Sequence, residues 1–112
     1  MQKTQKLTEN YLFRRMYSRG KSSVSPTVVL YYHKRSSLKN NLLGITATKK
    51  VGGAVQRNRA RRVIQESYRL LEPQLGTGYT FVIVARSKAA RVKMQAVKDD
   101  LRRLLEKSGA IT

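Results

Sequence analysis

Cysteine and tryptophan are absent from the 112 residues, and proline occurs only twice. Without cysteine there are no disulfides and no thiolate metal sites, which fits a reducing compartment. Long apolar runs are missing as well. A membrane-spanning helix requires about 18 or more consecutive apolar residues, and the chain has no such run. Its opening stretch, MQKTQKLTEN, carries no apolar core of the kind a secretory signal needs. A cytoplasmic location is therefore expected. Scarcest of all is negative charge: 6 Asp plus Glu stand against 24 Lys plus Arg, a formal net charge of +18. Such an excess opposes compaction, and a polyanionic partner is the physical reason to keep it. Nucleic acid and an anionic membrane surface are the two candidates. Hydrophobic residues make up 40%, enough to build a core and exclude a disordered basic tail. The length is that of a single domain, 1–112.

Periodicity orders the chain. Residues 1–6 read as a flexible basic tail. From Leu7 to Tyr17 apolar residues return four apart (Leu12 with Met16, Phe13 with Tyr17), predicting a helix with Thr8 as N-cap and Gly20 as its stop. KSSVSP, 21–26, reads as a turn or a short extra strand. TVVLYYHKR, 27–35, is β-branched and aromatic and predicts a strand. LLGITATKK, 42–50, predicts a second, weakened by Gly44. A helix follows from about Val55 until Pro73 ends it, with Ala60, Val63, Ile64, Ser67 and Leu71 on one face. YTFVIVAR, 79–86, is the clearest strand. Ala90, Met94, Val97, Leu101 and Leu104 mark a last amphipathic helix to about Lys107, with 108–112 as a frayed end. The expected architecture is an α+β, two-layer domain in the order α-β-β-α-β-α, its helices packed on a small mixed sheet.

The helix after Gly52–Gly53 is crowded with one sign of charge. Lys49, Lys50, Arg57, Arg59, Arg61 and Arg62 fall in a stretch, 49–65, that contains no acid. Arg57 and Arg61 flank the apolar face, Asn58, Gln65 and Arg69 continue round it, and Arg59 and Arg62 point further outward. Like charges four apart, as at Arg57 and Arg61, cost an isolated helix ~0.2–0.5 kcal/mol. A face that only had to be soluble would gain from mixed signs, and guanidinium suits bidentate phosphate contacts. The double glycine lets another backbone approach, and with Gly53 as N-cap the first-turn N–H groups form an anion site beside Lys49 and Lys50. A tight strand-to-helix turn explains the same glycines equally well. GxxxxGK[ST] is absent, so this is not a nucleotide-binding P-loop.

Aromatic residues exceed what one core face needs. Both faces of TVVLYYHKR are apolar or aromatic, unlike an open sheet's polar outer face. Phe13, Tyr17 and Tyr31 are spaced to line a cleft for unstacked bases, each stack contributing ~1–3 kcal/mol. Core packing accounts for Phe13 as readily. A membrane-active reading fares worse, because the apolar helix faces are needed for the core.

The ordered set KKVGGAVQRNRARRVIQESYR, LFRRMYSRGKS, VVLYY and FVIVARS resembles the bacterial ribonuclease P protein subunit, in which an Arg-Asn-Arg triplet opens a helix after a KKVG-type turn. The likeness extends over nearly the whole chain. It implies a ribosomal protein S5 domain 2-like fold with a left-handed β-α-β crossover, where most crossovers are right-handed. It also implies two partners, a catalytic RNA subunit and precursor tRNA; no obligate protein partner is evident from the sequence. RNA-subunit binding maps onto Lys49, Lys50, Arg57, Asn58, Arg59, Arg61 and Arg62. Binding of the single-stranded 5′ leader maps onto Phe13, Tyr17 and Tyr31. Mg²⁺ is held mainly by the RNA and substrate, and the RNA cuts the phosphodiester bond. Gly53 stands where the family usually has Asn, and Leu42 where a basic residue is common, so the side chains for polar or metal-linked contacts are missing there.

The residues themselves agree with a binding role. The single histidine, His33, and the acids Glu9, Glu66, Glu72, Asp99, Asp100 and Glu106 form no evident acid/base pair or set of metal ligands. Asp99 and Asp100 are adjacent on a helix and diverge by roughly 100°. A general RNA-binding protein and an independent ribonuclease are the competing readings.

Overall fold

In the computed structural model, which describes residues 2–35 and 39–111, the strand that reads most clearly from the sequence lies at the centre. Tyr79–Ala85 is buried on both sides along nearly its whole length. On one side it is paired in parallel with Asn41–Thr46, in the register Leu42↔Thr80 to Thr46↔Val84. On the other it is antiparallel to Val28–Lys34, from Val28↔Ala85 to Lys34↔Tyr79. Lys21–Val24 is hairpinned on the outer edge of that strand. The other edge is taken by Thr4–Lys6, parallel to Asn41–Leu43. Numbered along the chain, the elements are β1 (Thr4–Lys6), α1 (Asn10–Arg19), β2 (Lys21–Val24), β3 (Val28–Lys34), β4 (Asn41–Thr46), α2 (Ala54–Leu71), β5 (Tyr79–Ala85) and α3 (Met94–Lys107). Short 3-10 turns at Glu72–Gln74 and Ser87–Ala90 flank β5. The sheet runs β1-β4-β5-β3-β2.

Three expectations need correction. Residues 4–6 are a strand, not part of a tail. Their side chains gave no apolar signal because the anchors are polar and distant in sequence. Glu72 accepts the Gln2 and Lys3 N–H groups, Lys3 Nζ donates to the Pro73 and Leu75 carbonyls, and the Thr4 hydroxyl bonds Tyr68 Oη at 2.8 Å. The C-terminus is packed through Ile111: Ala110 and Ile111 are buried, and the Ala110 carbonyl accepts the Gly76 N–H. The third correction concerns the layers, which number three because the helices divide between the two faces of the sheet.

The division follows from strand alternation. Tyr79, Phe81 and Ile83 of β5, Leu30 of β3 and Leu43 of β4 face α2 and α3, forming the main core with Ile64, Tyr68, Leu71, Leu101 and Leu105. Each such fully buried side chain contributes about 1.5–3 kcal/mol. Val82, Val84, Tyr31 and Leu42 face the other way and are covered by Met16, Leu12 and Phe13 of α1, together with Leu7. This explains why β3 is apolar on both faces. Gly44 fits the same scheme: a Cβ there would sit 2.4 Å from the Phe13 ring, so the missing side chain is the seat of that ring.

The central helix buries the expected Ala60, Val63, Ile64, Ser67 and Leu71, and adds Tyr68. Its length matches the reading, since Pro73 falls in the 3-10 turn just after Leu71. Glu9 rather than Thr8 caps α1, with no side-chain hydrogen bond. Asn41, fully buried, closes the start of β4: its Nδ2 donates to Gly76 O at 2.8 Å and its Oδ1 accepts the Tyr79 N–H at 2.9 Å.

Candidate nucleic-acid interface

The turn into α2 is wound tightly by its glycines. Val51 N–H reaches Thr48 O at 3.0 Å and Gly52 N–H reaches Lys49 O at 3.2 Å, which leaves Lys49 and Lys50 exposed. Gly52 has φ +142°, a left-handed conformation that favours glycine. Gly53 is the N-cap, as expected. No side chain caps the helix and no acid lies in its first turn. The free N–H groups therefore keep their partial positive charge beside two lysines.

The arginines then differ in what they hold. Arg57 Nη1 donates to Gly52 O at 2.9 Å, fixing the glycine turn. Arg59 reaches a segment distant in sequence, Nε to Ala90 O at 3.2 Å and Nη2 to Val92 O at 3.0 Å. It ties α2 to the segment leading into α3. Arg61 donates to Asn58 Oδ1 at 2.8 Å and approaches Ala47 O at 3.5 Å. Arg69 is ion-paired with Glu66, and this hydrogen bond holds the Glu66 carboxyl below the usual carboxylate range. Arg62 is exposed and, among the described residues, is the one α2 arginine that makes no side-chain hydrogen bond. Sequence periodicity gives the direction of these side chains but not their partners, which for Arg59 are carbonyls more than thirty residues along the chain.

On the α1 face, Tyr17 meets Tyr31 edge-on, with centroids 5.0 Å apart and an interplanar angle of 78°. The Tyr17 hydroxyl lies 3.4 Å from Thr46 Oγ1, and 43% of the residue is exposed. Tyr31 is half-buried beneath it. Phe13 is committed to packing over Gly44 and Leu7, so the core reading of this residue is the stronger one. It still borders a cavity of about 310 Å³ along β1, which also takes in Arg61 and Gln65. The arginine helix and the aromatic face thus meet at the sheet edge.

A wider cleft, about 770 Å³, opens at the carboxyl ends of the parallel pair β4 and β5, lined by Thr48, Lys49, Lys50, Val84, Arg86 and Ser87. Open sheets bind ligands at such ends. Arg86 is not among the site residues expected from the sequence, although it ends the predicted strand 79–86 and so stands at the carboxyl end of β5. Its Nη1 donates to Ser25 O at 2.8 Å, which braces the β2–β3 hairpin against the cleft.

Two of the acids on α3 have partners close by. Asp99 accepts a hydrogen bond from Gln95. Asp100 faces inward to the Thr27 N–H and hydroxyl. Among the described residues no three His, Asp or Glu side chains converge as metal ligands, and no helix is long and apolar enough to cross a membrane.

A family model described as Ribonuclease P matches residues 1–109. Among curated relatives, the ribonuclease P protein component of Clostridium acetobutylicum is 39% identical over 110 residues, covering 97% of this chain and 92% of the relative. That of Thermoanaerobacter sp. (strain X514) is 38% identical over 103 residues, covering 92% and 88%. Among solved structures, the RNase P protein from Thermotoga maritima superposes with a TM-score of 0.80 at 26% identity, covering 92% of this chain and 96% of that one. The Staphylococcus aureus RNase P protein shares the fold, with a TM-score of 0.83 at 24% identity over 96% and 97% of the two chains.

Proposed function

The chain belongs to the bacterial ribonuclease P protein family, and on that premise we propose that it binds a catalytic RNA and the single-stranded 5′ leader of precursor tRNA while the RNA cuts. The observation that carries the proposal is the pairing of two unlike surfaces on one small scaffold. An exposed tyrosine rests edge-on over Tyr31 on one face of the sheet, and an uncapped, acid-free helix start with Lys49, Lys50 and Arg62 lies on the other side. In this reading the RNA subunit lies along the start of α2, where Lys49, Lys50, Asn58, Arg61 and Arg62 meet its phosphates. Arg57 and Arg59 contribute by holding the turn and the helix in position. The leader runs over Tyr17 and Tyr31, with Phe13 setting the floor. The β4–α2–β5 unit is the left-handed crossover of the S5 domain 2-like fold.

Among the described residues no three His, Asp or Glu side chains converge as metal ligands; in this reading Mg²⁺ is held mainly by the RNA and its substrate. The protein acts by lowering phosphate repulsion where metal and leader come together. Cationic side chains replace condensed counterions, so affinity falls steeply with added salt.

The test compares precursor with mature tRNA. Tyr17→Ala in the reconstituted complex should weaken precursor binding by ~1–3 kcal/mol, the worth of a base stack, and leave mature tRNA unaffected. Equal losses for both would favour a general RNA-binding protein with no leader cleft.

A further inference from the structure

The helix α1 has two flanks beside its buried stripe, and Phe13 and Tyr17 lie on one of them. Leu12 and Met16 point at the sheet. Residues 15 and 19 lie roughly 160° around the helix from 13 and 17, by the 100° step of an α-helix. On that opposite flank Arg15, Arg19, His33, Arg35 and Thr80 line a cavity of about 250 Å³. We propose that this cavity is a second seat for RNA backbone, distinct from the tyrosine cleft and from the arginine helix; the inference rests on the reading that the chain binds RNA.

Charge placement is the reason. Three guanidinium groups and an imidazole converge on one cavity with no acid in its lining. Five of the six acids lie on α2, on the 3-10 turn after it, or on α3, which cover the other face of the sheet. Only Glu9 belongs to the α1 face, and it precedes the first turn of the helix. Arg19 in the last turn of α1 gains from the helix dipole. That account does not extend to Arg15 one turn back, nor to His33 and Arg35 on and just beyond β3. Arg15 and Arg19 are four apart, a spacing at which like charges repel. Folding brings these cations together at a cost, and an anion between them removes it. Lys34, by contrast, turns to the other face and sits over the Tyr79 ring, so the cluster is not simply every cation at the end of β3.

The guanidinium fork selects phosphate oxygens, and Thr80, mostly buried, offers a hydroxyl donor at the cavity wall. The shared chemistry is a phosphodiester stretch, supplied by the leader after it crosses α1 or by the catalytic RNA. Two arms separate these sources. In one, the chain binds its ribonuclease P RNA alone. In the other, the reconstituted complex binds precursor tRNA. Each is measured against salt for wild type, for the R15Q/R19Q/R35Q variant and for Tyr17→Ala.

The triple variant should make the slope of log K against log [salt] shallower by about 2 in one arm, at about 0.7 per single-strand phosphate neutralised. Tyr17→Ala should leave the slope as in wild type. The arm that changes identifies the source. Unchanged slopes in both arms, with the variant folded, would overturn the second seat and leave the leader cleft standing. Absence of wild-type binding in both arms would sink the RNA-binding reading, and this inference with it. Should the variant not fold, titration of the wild-type protein with inorganic phosphate decides. Saturable NMR shifts at Thr80 and His33 support the seat, and shifts confined to the start of α2 refute it.

Discussion

Replacing Arg59 and Arg62 separately tests whether one arginine-rich helix carries two different jobs. Arg59 donates to Ala90 O and Val92 O, bonds that close a span of more than thirty residues. Both carbonyls are near solvent, so water replaces the guanidinium when it is lost. Each bond then contributes only its net value of about 0.5–1 kcal/mol, and Arg59→Ala should cost ~1–2 kcal/mol. For a domain of this size that lowers the thermal midpoint by roughly 4–8 °C. Arg62 has no such bond, so Arg62→Ala should leave the midpoint within about 1 °C. Its effect appears in RNA binding instead, where the salt slope should fall by about 0.7–0.9 for the lost phosphate. The assays are thermal unfolding followed by circular dichroism, and salt-dependent binding to the catalytic RNA. If Arg59→Ala unfolds like wild type while binding RNA as poorly as Arg62→Ala, the division of roles is wrong.

Other expectations follow from packing and burial. Gly44→Ala puts a methyl 2.4 Å from the Phe13 ring and should destabilise by about 1–3 kcal/mol through overpacking, measured by urea unfolding. Asp100→Ala strips the Thr27 N–H and hydroxyl of their acceptor, and leaving buried donors unsatisfied should cost about 2–3 kcal/mol in the same assay. Tyr68 is pushed up to about 12, chiefly by burial. The folded state therefore keeps a proton that the unfolded chain loses near 10, and stability falls as pH rises from about 10 towards 12. The slope approaches ~1.4 kcal/mol per pH unit. Tyr68→Phe should remove that share of the alkaline loss, seen as a smaller stability difference between pH 9 and pH 11 than in wild type.

Much of this fold was legible because its longer elements bury one regular stripe. The stripe of α2, the apolar run of β5 and the spacing from Met94 to Leu104 each identify an element, with Ala90 falling in the 3-10 turn before α3. β1 was not legible, since a three-residue strand of polar side chains has no period, and its anchors on Glu72 and Tyr68 are tertiary. The double-sided apolar pattern of β3 was visible in the sequence, but it takes the structure to show that α1 lies on one face and α2 and α3 on the other. The same limit applies to the site. Composition and spacing single out the arginines, yet hydrogen bonds to distant carbonyls separate Arg59 from Arg62. Phe13 and Tyr17 share a helical face, but the space above Gly44 claims the first and leaves the second exposed.

The most direct measurement of the central claim is single-turnover cleavage of precursor tRNA across Mg²⁺ concentrations, with the protein alone, the catalytic RNA alone and the two together. The account predicts no cleavage by the protein alone, and a lower Mg²⁺ requirement for the RNA once the protein is added. Cleavage at the mature 5′ end by the protein alone, or an Mg²⁺ dependence indifferent to its presence, would contradict it.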